Sequence, residues 1–199
     1  NGSALEFAAD EFRSDRNIVS AAIRQYGRAL EYASKELRND IDIVIVAVRQ
    51  LASAFEFASQ ELRNDKDIVM DVVKQKGNAL KYASDELRND KDVVLAAVEQ
   101  DGYAIGFVSE ELRNDKSVVL TAVQQRGSAI SFASTQLKND KDFVLAAMKI
   151  HGWILENIGN EGHNNWIRLY FEATEMQAEL KFQYASCQLR ENQEFTRMA

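Results

Sequence analysis

The stretch that decides the fold is KYASDELRNDKDVVLAAVEQDG, residues 81–102. Around its polar centre, ELRNDKD, apolar residues recur at the spacing of a helix. They are Tyr82 and Ala83 before the centre, with Ala79 and Leu80 just ahead of the stretch, Leu87 within the centre, and Val93, Val94, Ala97 and Val98 after it. The stretch therefore predicts two helices of about ten residues each, joined by a tight polar turn.

This pattern recurs every 25 residues without an insertion. Aspartate marks it at Asp15, Asp40, Asp65, Asp90, Asp115 and Asp140. Glycine marks it at Gly2, Gly27, Gly77, Gly102, Gly127 and Gly152, with Ala52 as the exception. Six units, which we number 1 to 6, therefore tile residues 2–151. Because helices this short are marginal alone, the units must stack on one another. The prediction is an all-α solenoid, a superhelical array of 25-residue helix-turn-helix repeats.

The polar centre has a structural interpretation as a helix-to-helix turn. Asn89 is suited to a left-handed residue that ends the first helix, and Arg88 favours the last turn before it. Asp90 is suited to cap the second helix, with Asp92 in the first turn. Gly102 is expected to end that helix in the left-handed conformation.

Two recurring polar patterns invite other interpretations. The D-x-D pairs, such as Asp90/Asp92, resemble part of a calcium loop, but the central Gly and distal Glu of such a loop are missing. Helix capping is therefore the preferred interpretation. The row Gln25, Gln50, Gln75, Gln100 and Gln125 is expected to bond backbone groups of the turns between units.

The repeat decays after residue 151. Residues 152–199 read as a divergent seventh unit followed by a partial eighth, which together would cap the C-terminal face of the array. At the other end, Ala4, Leu5, Phe7 and Ala8 are fully repeat-like, with no polar capping unit before them. We therefore expect the chain to be part of a longer array or a larger protein.

Charge and composition argue against several classes of function. The net charge of −7 argues against nucleic acid as a partner. No apolar stretch is long enough to span a membrane, and the first residues lack the basic and apolar regions of a signal peptide. The single cysteine, Cys187, excludes an intramolecular disulfide. No motif indicates a cofactor or a metal.

Residues 79–102 resemble the signature of a family of tandem helical repeats that is described only as a domain of unknown function, ALxYASxELRNDxxVVLAAVxQxG. The resemblance covers residues 2–151 and part of 177–192. Such arrays occur in bacterial and protist proteins, including candidate host-directed effectors of intracellular bacteria. The resemblance implies no reaction. It favours a location in the cytoplasm or in the cytoplasm of a host.

A non-catalytic protein-interaction scaffold is the first functional hypothesis. Positions that change from unit to unit are free to specify a protein partner, and large aromatic residues are typical interface anchors. On the outer stripe of the first helix the candidates are Arg28, Asn78, Lys81, Asp85, Tyr103 and Trp153. A second row, in the last turn of the second helix, contains Arg24, Arg49 and Lys74. Its cations could meet an acidic partner or simply complement the helix dipole.

Two other hypotheses remain open. The array could be a structural spacer, or a module that self-associates through exposed end units. It could also be part of an enzyme whose chemistry lies outside this chain. Within the chain, the conceivable reactive residues are His151, Glu161, His163 and Cys187. They meet no zinc spacing and form no recognisable nucleophile motif, so we predict no intrinsic catalysis.

Overall fold

The computed structural model describes residues 2–151, which are the six predicted units. These residues form helices stacked in a single array, and no strand occurs among them. The prediction of an all-α solenoid is confirmed. The seventh and eighth units, together with Trp153, Glu161, His163 and Cys187, lie outside the described residues.

Each unit contains three helical segments instead of the two that the sequence predicts. The first is a six-residue 3-10 helix that begins at the recurring position of Gly or Ala52. These helices are Gly2–Phe7, Gly27–Tyr32, Ala52–Phe57, Gly77–Tyr82, Gly102–Phe107 and Gly127–Phe132. They stack on one another along one side of the array.

The second segment is a helix of three to five residues. These short helices are Asp10–Ser14, Lys35–Arg38, Gln60–Asn64, Leu87–Asn89, Glu110–Arg113 and Thr135–Lys138. A serine separates the first segment from the second in units 2 to 6. Ser34 has extended backbone, and its hydroxyl accepts a hydrogen bond from the N–H of Leu37. Its own N–H donates to the carbonyl of Arg13 in the preceding unit, at 2.9 Å. The predicted first helix is broken because this N–H bonds between units.

The third segment is a ten-residue α-helix. These long helices are Arg16–Gln25, Ile41–Gln50, Lys66–Gln75, Lys91–Gln100, Lys116–Gln125 and Lys141–Ile150. Asp90 caps one of them as predicted, since its Oδ1 accepts from the N–H groups of Asp92 and Val93 at 3.1 and 3.2 Å. The aspartates at the same position cap the other five helices. Capping, the preferred interpretation of the D-x-D pairs, is confirmed.

The prediction of left-handed backbone conformations at Asn89 and Gly102 is wrong. Asn39, at the register position of Asn89, has φ of −99°, and Asn89 itself lies within a 3-10 helix. Gly102 has no left-handed φ either. A Cβ built on Gly102 would lie 2.5 Å from the carbonyl oxygen of Ala122, so close packing, not backbone conformation, requires glycine there.

One continuous hydrophobic core runs through the array between the 3-10 helices and the long helices. On the long helix of unit 4, Val93, Val94, Ala97 and Val98 have no solvent exposure. The first segment contributes Ala79 and Leu80, which are equally buried. The same positions are buried in the neighbouring units except at Ile68, which is half-buried at the position of Val93. The core is therefore a column with one layer per repeat.

Candidate interaction surface

A ladder of ion pairs joins successive units along the starts of the long helices. The first residue of one long helix contacts the capping aspartate of the next unit. Lys66 lies 2.8 Å from Asp90, and Lys91 lies 2.6 Å from Asp115. Arg16 with Asp40 and Lys116 with Asp140 form the same pair. Four capping aspartates therefore both start a helix and hold the preceding unit, which leaves them unsuited to recognise a partner; they are Asp40, Asp90, Asp115 and Asp140.

The ladder is interrupted between units 2 and 3, because Ile41 stands where the other units have a cation. The side chain of Ile41 is 37% exposed. At the same junction an open groove lies between the short helices, lined by residues that include Lys35, Asn39, Ser59 and Glu61. This junction therefore lacks the ion pair between units that the four other junctions have.

Replacing Ile41 with lysine is expected to restore the missing ion pair with Asp65. Exposed ion pairs contribute about 0.2–1 kcal/mol, and we expect a rise of about 0.5 kcal/mol in the free energy of unfolding. Urea unfolding followed by circular dichroism measures it. The gain should disappear in an Asp65→Asn background, and a gain that persists there would contradict the ion-pair explanation.

Acid is expected to weaken the same ladder. Partial burial alone would raise the pKa of Asp115, but hydrogen bonds from Lys91, Ser117 and the N–H of Val118 outweigh it and lower the pKa to about 2. Because this value is below the ordinary 3.8, the carboxylate stabilises the fold above about pH 4. That contribution is lost as the pH falls toward about 2.

The measurement is the urea midpoint at several pH values for the original chain and for Asp115→Asn. The variant should be less stable at neutral pH and should lose less stability on acidification. Parallel curves for the two proteins would show that Asp115 does not contribute to the acid sensitivity.

A second ladder connects the short helices and gives the recurring asparagine its role. The hydroxyl of Ser134 donates to Oδ1 of Asn114 in the preceding unit at 2.5 Å, and Ser59 and Ser109 bond Asn39 and Asn89 in the same way. Asn39 also donates to Glu61 at 2.9 Å. Asparagine therefore recurs because its amide reaches the next unit.

The glutamine row partly follows its prediction. Oε1 of Gln100 accepts a hydrogen bond from the N–H of Gly77 at 2.5 Å, which satisfies a backbone group in the turn between units 3 and 4. Gln75 instead accepts from Arg49 at 2.7 Å. The expected hydrogen bond to a backbone group of a turn is therefore confirmed at Gln100, whereas the side-chain oxygen of Gln75 accepts from the side chain of Arg49.

The predicted variable positions lie on the surface. Arg28, Asn78 and Lys81 are exposed on the 3-10 helices, and Asp85 is exposed beside the short helix of unit 4, where it pairs with Arg88. The guanidinium of Arg28 stacks over the ring of Phe57 in the next unit, 5.2 Å from its centroid, and bonds Glu31 at 2.9 Å. Arg24, Arg49 and Lys74 are exposed at the ends of the first three long helices.

Tyr103 lies at the centre of an aromatic cluster. Its ring is 43% exposed and makes an edge-to-face contact with Phe132, with 6.4 Å between ring centroids. The guanidinium of Arg126 lies over the Tyr103 ring, 4.8 Å from its centroid, and the hydroxyl of Tyr103 lies 2.8 Å from that of Ser128. Phe132 and Arg126 were not among the sequence candidates, because one occupies the predicted apolar stripe and the other a turn.

Nothing in the described part of the chain indicates a metal site or a membrane span. No group of three or more His, Cys, Asp or Glu side chains among residues 2–151 could hold a metal ion. None of the helices within this range is long and apolar enough to cross a bilayer. Of the four conceivable reactive residues, only His151 lies inside the described range.

These features define the class, an all-α tandem-repeat solenoid built from 25-residue units. The chain belongs to the family described as Domain of unknown function (DUF4116). Its model matches overlapping stretches at residues 1–38, 22–63, 40–88, 65–113, 90–138 and 115–161. The resemblance of the repeat signature is thereby confirmed. No curated protein and no solved structure matches the chain.

Proposed function

We propose that the array is a non-catalytic scaffold that binds a protein partner through its variable surface rows. One observation carries the proposal: the recurring polar residues of the unit form ion pairs and hydrogen bonds with other parts of the array. Asp90 and Asn89 form the two ladders between units, and Gln100 bonds a turn. The positions that change between units, such as Asn78, are exposed on the stacked 3-10 helices.

The chemistry of this surface suits protein recognition. It combines aromatic rings with arginine and lysine side chains that stack on them. Aromatic residues and arginine are enriched at protein interfaces. Stacking also holds the long cationic side chains in place before binding, which reduces the entropy lost on association. A net charge of −7 does not favour nucleic acid as the partner.

A photo-crosslinking residue placed at position 78 tests the proposal, with position 71 as the matched control. Asp71 is exposed on a long helix and belongs to neither candidate row. Because the repeat resembles arrays found in candidate bacterial effectors, host proteins should be included in the search for the partner. The partner captured at position 78 should be missing or depleted at position 71.

Affinity measurements with that partner complete the test. Tyr103→Ala or Lys81→Glu should weaken binding about tenfold or more, as expected for interface anchors, while Asp71→Ala should leave it unchanged. A partner whose affinity is indifferent to every change in the candidate rows would contradict the scaffold proposal. Concentration-dependent sedimentation without any captured partner would instead support a self-associating spacer.

A further inference from the structure

Position 106 breaks the pattern of its row. The other units carry a side chain at this place, namely Glu6, Glu31, Glu56, Lys81 and Ser131. The same 3-10 helix forms around all of them, and Gly106 has no left-handed φ. The fold therefore does not require glycine at position 106, and its missing side chain has another consequence.

That consequence is the position of Phe132 in the next unit. A Cβ at position 106 would lie 3.1 Å from Cε1 of the Phe132 ring, so the ring occupies the space that a side chain would take. From there its ring contacts Tyr103 at an interplanar angle of 72°. Phe132 remains 37% exposed and Tyr103 43% exposed. We call Tyr103, Gly106 and Phe132 the aromatic pad.

Two cations flank the pad. Arg126 stacks over Tyr103 and is held by Asp101 at 3.2 Å. Lys81, in unit 4, precedes Gly106 in its row, and its Nζ lies 6.0 Å from the centroid of Phe107, the residue that follows Gly106. Lys81 is exposed and has no carboxylate partner among residues 2–151. Its charge is therefore available to a ligand.

The outer stripe of the 3-10 helices contains two rows of positions, one through Tyr103 and one through Gly106, and their charge changes along the array. In units 1 to 3 the row through Gly106 carries the glutamates Glu6, Glu31 and Glu56. In units 4 to 6 the two rows carry no carboxylate and read Asn78, Lys81, Tyr103, Gly106, Ser128 and Ser131. Of the other acidic side chains of units 4 and 5, Asp101 and Asp85 are paired with arginines, whereas Glu110 is exposed on the short helix of unit 5. Within these two rows, units 4 to 6 therefore present an apolar centre and one cation, Lys81.

We propose that the pad binds an acidic, extended peptide segment of a protein partner, with one aromatic side chain of that segment packed on Tyr103 and Phe132. Carboxylates of the segment meet Lys81 and the outer face of Arg126. The inference rests on the proposed scaffold function and adds the chemistry of the partner. The glutamates of units 1 to 3 repel such a segment, which confines it to units 4 to 6.

The probe is a synthetic peptide with a central tryptophan and aspartates on both sides. About eight residues reach across the stacked helices of units 4 to 6. Two comparison peptides replace every aspartate with lysine, or the tryptophan with glycine. Each is titrated into the ¹⁵N-labelled chain, and the amide shifts of Asn78 and Gly106 report binding. We expect saturable shifts with the first peptide and about tenfold weaker binding of the other two.

Gly106→Glu tests the site itself. It places in unit 5 the residue that units 1 to 3 carry naturally, so the chain should keep its helical circular dichroism. The new side chain displaces Phe132 and adds a repelling charge, and binding of the acidic peptide should fall at least about tenfold. The matched control, Glu56→Gly, makes the reverse exchange in unit 3 and should leave the affinity within about twofold.

Three results would overturn the inference: equal binding of the lysine peptide, an unshifted Gly106 amide at saturation, or unchanged affinity in Gly106→Glu. These results differ from failure of the scaffold proposal. A natural partner that responds to Arg28→Glu or Lys74→Glu but not to Gly106→Glu leaves the scaffold standing and removes only the pad. If Gly106→Glu changed the helical signal, Tyr103→Ala in the same titration would decide the matter.

Discussion

Replacing Phe55 with alanine is expected to lower the free energy of unfolding by about 3–5 kcal/mol. Phe55 has no solvent exposure and is among the largest fully buried side chains of the described array. Truncation removes its buried apolar surface and leaves a cavity in the core layer of unit 3. Urea unfolding followed by circular dichroism measures the loss, and hydrogen exchange shows whether it is centred on units 2 and 3.

Phe55→Leu is the matched control. Leucine or isoleucine fills this position in the other units, for example Leu30 and Leu80, which are also fully buried. The cavity left by leucine is smaller, so the expected loss is about 1–1.5 kcal/mol. A cost below about 1 kcal/mol for Phe55→Ala would mean that neighbouring units collapse into the vacated space, contrary to a rigidly packed column.

Gly102→Ala is expected to be the second large effect. The added methyl group would lie 2.5 Å from the carbonyl oxygen of Ala122 and 3.2 Å from the backbone N of Arg126. Backbone atoms cannot rotate away as a side chain can, so the 3-10 helix of unit 5 must move from the long helix. We expect a loss of about 1–3 kcal/mol, measured by thermal or urea unfolding.

Ala52→Gly provides the reverse exchange. Unit 3 already accepts a methyl group at this register position, where Ala52 is half-buried. Removing it should cost no more than about 1 kcal/mol, because the change mainly adds backbone freedom to the unfolded chain. If Gly102→Ala were neutral or stabilising, the recurring glycine could not be explained by close packing against the long helix.

The architecture can be predicted from the sequence because the unit occurs six times in one chain. The 25-residue period, the capping aspartates and the buried stripe of Val93, Val94 and Ala97 follow from local spacing alone. The break in the first helix was missed. Ser84 reads as an ordinary surface residue of a helix, whereas its N–H donates to Arg63 in the preceding unit at 3.0 Å. Periodicity within one unit does not show bonds between units.

Only part of the candidate surface can be predicted from the sequence. Exposure of Asn78, Lys81 and Tyr103 follows from their place opposite the apolar stripe, and the structure places all three on the surface. Phe132 was assigned to the stripe because its equivalents, such as Tyr82, belong there. The structure shows instead that its ring lies against Gly106, a residue of the previous unit that stacking brings close to it.

The sequence by itself determined the repeat, the all-helical class, the helix caps and the residues that form the core, because each depends on neighbours within about one helical turn or on the 25-residue period. Only the tertiary structure decided why asparagine and glycine recur and where the aromatic pad lies. Those features depend on how closely one unit approaches the next, as at Ser134 with Asn114 and at Gly106 with Phe132. Stacking distance is set by the packing of whole side chains, and no spacing within one unit specifies it.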